Sequence, residues 1–367
     1  MAQTQAAKPL PQAAVATMKA FSMLGIGRTG FLEKPIPQPG PNDAVIKTTH
    51  ALICTSDSHT VRGAIGPREG LTLGHEAVGV VYAVGSQVHR FKVGDRVVVG
   101  AITPDWGSPE AQNGYPSQSG GALSGWKFAN VKDGVFAEYF HVNEADANMA
   151  IIPAAIPSEA AVYCADMLST GFVAAEHGNV PIGGTVAIFA QGPVGLMATA
   201  GARLRGAGLI VAVETDPKRA QLAKEYGAHL VVDFEREDPV ARIMAETSGV
   251  GVDTAIEALG SQQTFEWCVD VTKPGGTISN VGYHGSGDYV EIPRIAWGVG
   301  MADKTIRTGL CPGGSLRMER LLRLLEQGAL DPTKMTTHTF DFNDMPKAFD
   351  VMDRKLDGVL KPLIRFA

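Results

Sequence analysis

Between residues 185 and 281 short apolar runs alternate with helix-like segments, and that alternation limits the fold more than any other feature. Residues 185–189 read as a strand, 193–205 as a helix and 209–213 as the next strand. The pattern continues with a helix near 219–226, a strand at 230–233, a helix near 239–247, and strands at 253–257 and 277–281. Strands alternating with helices predict an α/β unit with a parallel, doubly wound sheet. The stretch from Met18 to about His141 reads differently. Short runs at 44–48, 76–84, 96–99 and 135–142 are split by turn residues such as Pro39-Gly40 and Gly94-Asp95, which predicts a β-rich barrel or strongly bent sheets. A chain of 367 residues is too long for one ordinary core, so two units are expected. The last 55 or so residues, with an amphipathic segment at 316–326, are expected to return to the first unit.

Composition excludes several classes of function. The net charge is -6 and basic residues are scattered, so neither nucleic acid nor an acidic membrane surface is expected as a partner. The most membrane-like run, 186–202, is interrupted by Gly192-Pro193 and reads as strand, turn and helix. Residues 1–17 read as a flexible tail without the basic and apolar regions of a signal peptide. The four cysteines, Cys54, Cys164, Cys268 and Cys311, stand far apart with no C-x-x-C. That spacing argues against a disulfide framework and for a reducing cytoplasm, and it excludes a four-cysteine structural zinc lobe. Residues 101–133 are rich in Gly, Ser, Gln and Trp with little periodicity, and read as a functional loop, an interface or a surface insertion.

AQGPVG, residues 190–195, lies between the first strand and helix of the α/β pattern. Gly192 would let the backbone approach a pyrophosphate, and Gly195 would let helix and strand pack closely. Free N–H groups near Val194 would face the phosphates, and Pro193 fits a first helical turn because it has no donor to lose. Ala190 stands where the G-x-G-x-x-G pattern has its first glycine, so the literal motif is broken. Glu214 follows 22 residues after Gly192, at the end of the second strand, where a carboxylate would accept from both ribose hydroxyls of NAD. A 2′-phosphate would face Glu214 and Asp216, so NAD is expected over NADP, with Lys218 and Arg219 as the residues that could compensate.

ALICTSDSHT, residues 51–60, raises the question of what Cys54 does: packing, nucleophile or metal ligand. His75 opens a strand 21 residues later, and Asp166 stands where the chain leaves the β-rich part. Each alone is more often packing or a helix cap. Three protein ligands with an open position describe a catalytic zinc.

GHEAVGVVYAVGSQVHRFKVGDRV, residues 74–97, resembles the signature of zinc-dependent medium-chain alcohol dehydrogenases. ICTSDSH, AITPDW, SGWKFANVKDGVFAEYFHVN and GLCPGGSLRMERL are similar to the bacterial secondary-alcohol (isopropanol) branch of that family. The resemblance implies a GroES-like catalytic domain over residues 18–169 and 311–367, and a Rossmann domain over 170–310. It implies one catalytic zinc on Cys54, His75 and Asp166, with Glu76 as an additional ligand, no structural zinc, and a homotetramer. It implies reversible oxidation of small secondary alcohols to ketones, with Ser56 and His59 relaying the proton through the cofactor ribose. It places Thr170 near the cofactor, and Ala101, Ile102, Trp126, Tyr283, Leu310 and Cys311 around the substrate. Trp126 would form an apolar wall, and the small Ala101 would leave room for one short alkyl group, which disfavours polyols. The best-known members of the branch prefer NADP and carry small or basic residues where Glu214, Thr215 and Asp216 stand here, so NAD is expected from the residues. Replacing Asp166 by Ala is expected to abolish turnover while leaving NAD binding intact; full turnover in that variant would remove Asp166 from the site.

Overall fold

The computed structural model describes residues 16–119 and 132–367. A parallel six-stranded sheet runs in the order Leu230–Val232, Leu209–Val213, Thr185–Phe189, Val252–Glu257, Thr272–Asn280, Thr305–Thr308. Strand order reverses between Thr185–Phe189 and Val252–Glu257. Such a switch point leaves a crevice at the carboxyl ends of the strands, and residues 190–195 open into it. The sheet is doubly wound, as the strand–helix alternation requires.

A second sheet orders Thr336–Asp341, Lys361–Arg365, Ala44–Leu52, Glu76–Val84, Arg96–Val99 and Met149–Ile151, with Tyr139–Val142 also pairing with Ala44–Leu52. The C-terminal strand lies antiparallel to Ala44–Leu52, with Leu363 opposite Leu52. The end of the chain is therefore built in two residues from Cys54. One buried cluster runs from Leu52 and Leu363 through Tyr163, Cys164 and Leu168 to Ile188 and Leu196, joining both sheets.

Several strands span the residues expected of them: Glu76–Val84, Arg96–Val99, Thr185–Phe189 and Leu209–Val213. The run expected at 135–142 is a strand only over Tyr139–Val142. Its first residues instead bond the loop before His75, with Val135 N–H donating to Gly74 O at 3.0 Å and Phe136 N–H to Leu73 O at 2.9 Å. The expected boundary between residues 169 and 170 falls inside a helix, Met167–His177, that the pattern did not disclose. Nine of its residues, Met167 through Ala175, are buried, so it carries no polar face to betray a helical period. No helix among the described residues is long and apolar enough to cross a membrane.

The turn 190–195 shows why its residue types stand where they do. A Cβ on Gly195 would meet Ala190 O at 1.9 Å, so only glycine lets helix and strand approach this closely. Gly192 has ordinary extended backbone, and a Cβ there would meet nothing within 4 Å. The space over Gly192 is thus open for a ligand. Ala190 has φ 71°, the left-handed region that a Cβ disfavours. Replacing Ala190 by Gly is expected to stabilise the fold by about 0.5–1 kcal/mol, the relief of strain exceeding the added chain entropy. Thermal denaturation checks this, and an unchanged or lower Tm would mean that the turn carries no strain.

Candidate active site

Cys54 follows the strand Ala44–Leu52 by two residues and caps a short helix, Thr55–Val61. The cap is reciprocal. Cys54 N–H donates to Asp57 Oδ2 at 2.9 Å, and Asp57 N–H donates to the Cys54 carbonyl at 3.2 Å. The other Asp57 oxygen lies 3.2 Å from His75 Nδ1. One buried carboxylate thus fixes both the cysteine and the imidazole, and by accepting Nδ1–H it turns Nε2 toward Cys54. Gly74 sets the entry of His75: its φ is +87°, and a Cβ would stand 2.3 Å from the Phe136 ring.

His75 Nε2 lies 3.4 Å from Asp166 Oδ2, 3.8 Å from Glu76 Oε1 and 3.2 Å from Ser56 Oγ. Ligand atoms of Cys54, His75, Glu76 and Asp166 all lie within 4.8 Å of one another. Asp166 precedes the helix Met167–His177, where the Thr170 hydroxyl donates to Asp166 Oδ1. Lys361, fully buried on the C-terminal strand, donates to Glu76 Oε1.

Burial opposes charge on every one of these groups, and their neighbours decide the outcome. Burial raises the Cys54 thiol, but the Lys361 charge and His75 outweigh it and bring the thiol down to about 7. Burial also opposes the Asp166 carboxylate, yet hydrogen bonds from His75 and Thr170 hold it below the usual range. His75 is raised well above its ordinary value because Asp57 and Asp166 outweigh burial. Glu76 is raised, by burial first and by the nearby Cys54 and Asp166 charges, with Lys361 opposing. Glu76 Oε2 is buried without a hydrogen-bond partner. A thiolate, an imidazole and two carboxylates around an orphaned oxygen are a donor set that suits zinc.

A cleft of about 310 Å³ runs from these residues to the turn at 190–195. Ser56, His59, Thr170, Gly192, Pro193, Val194 and Tyr283 line it, as do Arg219 and Lys355. His59 packs against Tyr283 with ring centroids 5.1 Å apart, and burial, Arg62 and Lys355 lower its pKa, so the imidazole is neutral near neutrality. Burial likewise lowers Lys355 to about 8.

The comparisons bear on this geometry. The family description "Zinc-binding dehydrogenase" matches residues 193–327, and "Alcohol dehydrogenase GroES-like domain" matches 40–154. The chain is 53% identical to an NADP-dependent isopropanol dehydrogenase of Thermoanaerobacter brockii, over 95% of this chain and 100% of that one. The chain belongs to the zinc-type medium-chain alcohol dehydrogenases. An alcohol dehydrogenase of Cupriavidus necator is 43% identical, over 95% of this chain and 99% of that one. The solved alcohol dehydrogenase TADH from Thermus sp. ATN1 superposes with a TM-score of 0.86 at 30% identity, over 95% of this chain and 100% of that chain.

Within this alcohol dehydrogenase, two groups of the expected residues do not line the cleft. Glu214 does not line the cleft, because its carboxylate is turned to backbone N–H groups. Ala101, Ile102, Leu310 and Cys311 do not line it either. They pack together as a small cluster beside Ala165, whose carbonyl accepts from Ala101 N–H at 2.9 Å. Trp126 lies outside the described residues. Conversely, sequence reasoning missed Asp57, Lys355 and Lys361. Asp57 had a signal, since it stands three residues after Cys54 at capping-box spacing. Lys361 had none, because only the fold carries it to Glu76. Replacing Asp57 by Ala is expected to weaken zinc binding by about 10- to 100-fold, read by competition with a chromogenic chelator. Unchanged affinity would leave Asp57 only its capping role.

Proposed function

We propose that the protein interconverts small secondary alcohols and ketones with NAD, at one zinc held by Cys54, His75, Asp166 and Glu76. The observation that carries this reading is the convergence of four ligand side chains at the inner end of a cleft whose outer end is the open turn over Gly192. In this reading residues 18–169 and 311–367 form the metal-bearing unit and 170–310 the dinucleotide-binding unit. The relatives' names support isopropanol-type substrates.

When bound, the zinc supplies a Lewis acid for the alcohol oxygen, and the nicotinamide supplies the hydride acceptor. The chain's own residues do the rest. Asp57 and Thr170 orient His75 and Asp166. Ser56 Oγ is placed at the inner end of the cleft to hold the alcohol proton, and the neutral His59 imidazole can accept it. Tyr283 and Lys355 narrow the cleft around His59.

Relatives at 48–53% identity are named NADP-dependent, whereas Glu214 and Asp216 put two carboxylates at the end of the second strand of the α/β sheet and favour NAD. A homotetramer is also proposed. Thr305–Thr308 is an edge strand, and Tyr289, Ile295 and Met301 nearby are 71–85% exposed, a combination that a second copy would cover. Free cysteines throughout suit a cytoplasmic setting.

The test follows nicotinamide reduction with 2-propanol, comparing NAD with NADP before and after metal stripping. Activity with NAD that is lost on stripping and restored by zinc is the expected result. Activity with NADP alone would keep the reaction and overturn the cofactor reading. No activity in zinc-replete protein would overturn the substrate. Light scattering on the eluting protein checks the tetramer, which a monomer mass would exclude.

A further inference from the structure

The acid on which cofactor choice turns has its carboxylate already engaged. Glu214 Oε1 accepts the backbone N–H of Thr215 at 2.9 Å and of Asp216 at 3.0 Å. Its Oε2 accepts the N–H of Gln191, in the turn 190–195, at 3.0 Å. Successive backbone amides converging on one point form a nest, a concavity that binds anions. Here the anion is the chain's own side chain, which is only 7% exposed. Arg219 Nη1 stands 3.9 Å from Oε2, and Arg219, unlike Glu214, lines the cleft.

An acid that selects NAD by binding ribose hydroxyls would turn its oxygens to the cleft. In this chain both lone-pair directions of Oε1 are filled, and Oε2 faces Gln191 and Arg219. A 2′-phosphate would need what Glu214 already holds: the paired amides of Thr215 and Asp216, and the guanidinium of Arg219. We infer that Glu214 excludes NADP by occupying an anion nest that would otherwise seat the 2′-phosphate, so that the chain carries a closed phosphate site with Arg219 at its rim. The inference rests on the NAD preference proposed above and supplies its mechanism. It also explains how chains this similar can be named for the other cofactor: opening or filling one nest is a single-residue change.

The mechanism differs from plain charge repulsion in what a neutral substitute does. Gln at position 214 loses the charge but keeps an oxygen that can accept from Thr215 and Asp216. Ser loses both charge and reach. Binding of adenosine 2′,5′-bisphosphate and of 5′-AMP to the zinc-loaded wild type, Glu214→Gln and Glu214→Ser is measured by calorimetry. Glu214→Ser is expected to bind the bisphosphate about 10- to 100-fold tighter than wild type, the strength of a few charge-assisted hydrogen bonds. Affinity for 5′-AMP is the reference, and the gain is read as the ratio of the two affinities, so that a change Glu214→Ser imposes on both ligands alike cancels. Glu214→Gln is expected to show no such gain. Adding Arg219→Ala to Glu214→Ser should remove most of it.

An equal gain in both single variants would overturn the nest in favour of charge repulsion. Loss of both ligands in Glu214→Ser, with Glu214→Gln unchanged, would reduce Glu214 to a staple between two loops and also overturn the inference. A wild-type protein that prefers NADP would instead defeat the NAD reading itself, an outcome visible before any variant is made.

Discussion

The proposed site depends on a buried ion pair between the C-terminal strand and the strand that follows His75. Lys361 and Glu76 are both fully buried, and they are 285 positions apart in sequence. Removing one partner of such a pair leaves an unpaired buried charge and typically costs about 3–5 kcal/mol. The pair also does something that an apolar contact could not. Lys361 lies close enough to Cys54 and Asp166 to favour their charged forms against burial. The strand Lys361–Arg365 is thus both the sheet's connection to Ala44–Leu52 and the source of the cation among the ligand side chains. Closing the sheet and tuning the donor set are one event.

What could be read from sequence follows from how local each feature is. Thr185–Phe189 and Leu209–Val213 were legible end to end because parallel strands buried on both faces are short continuous apolar runs between turn signals. The helix Met167–His177 was not, because nine of its residues are buried on every side and leave no apolar stripe against a polar face. At the site, His75 and Glu76 were named from a long local signature and Cys54 and Asp166 from the wider family resemblance, and the structure brings their side chains together. Lys361 and Lys355 stand in a C-terminal stretch with no motif, and their place beside Cys54 is a property of topology alone. The orientation of Glu214 was hidden for a different reason. Its position was legible, but whether a carboxylate faces a ligand or its own backbone depends on the turn geometry around it.

The cofactor end shows the same economy of parts. Glu214 joins two loops, one after each of the first two parallel strands, by accepting an amide from the first and two from the second. Gln191 is fully buried and is held from its other side by the Thr199 hydroxyl at 2.9 Å. The turn proposed to receive phosphates and the turn proposed to receive the ribose are therefore one hydrogen-bonded unit. A change at Glu214 acts on both, which is why binding of a bare adenosine phosphate, rather than turnover alone, separates recognition from scaffolding.

Charge accounting at the inner end of the cleft argues for a divalent ion over other occupants. The Cys54 thiolate, Glu76, Asp166 and the Asp57 carboxylate behind His75 would contribute four negative charges and Lys361 one positive, while His75 is neutral when its Nε2 binds a metal. A dication cuts the excess to one in a place where net charge is strongly disfavoured. Without it, the same groups approach balance by protonation: His75 and Glu76 are raised, and the Cys54 thiol titrates at about 7. Metal binding must then release protons from these groups, so affinity rises with pH through the range in which they ionise. A monovalent ion would leave two buried negative charges, and a thiolate and an imidazole suit zinc better than a hard trivalent ion. The buried lysine is what brings the excess within reach of a dication.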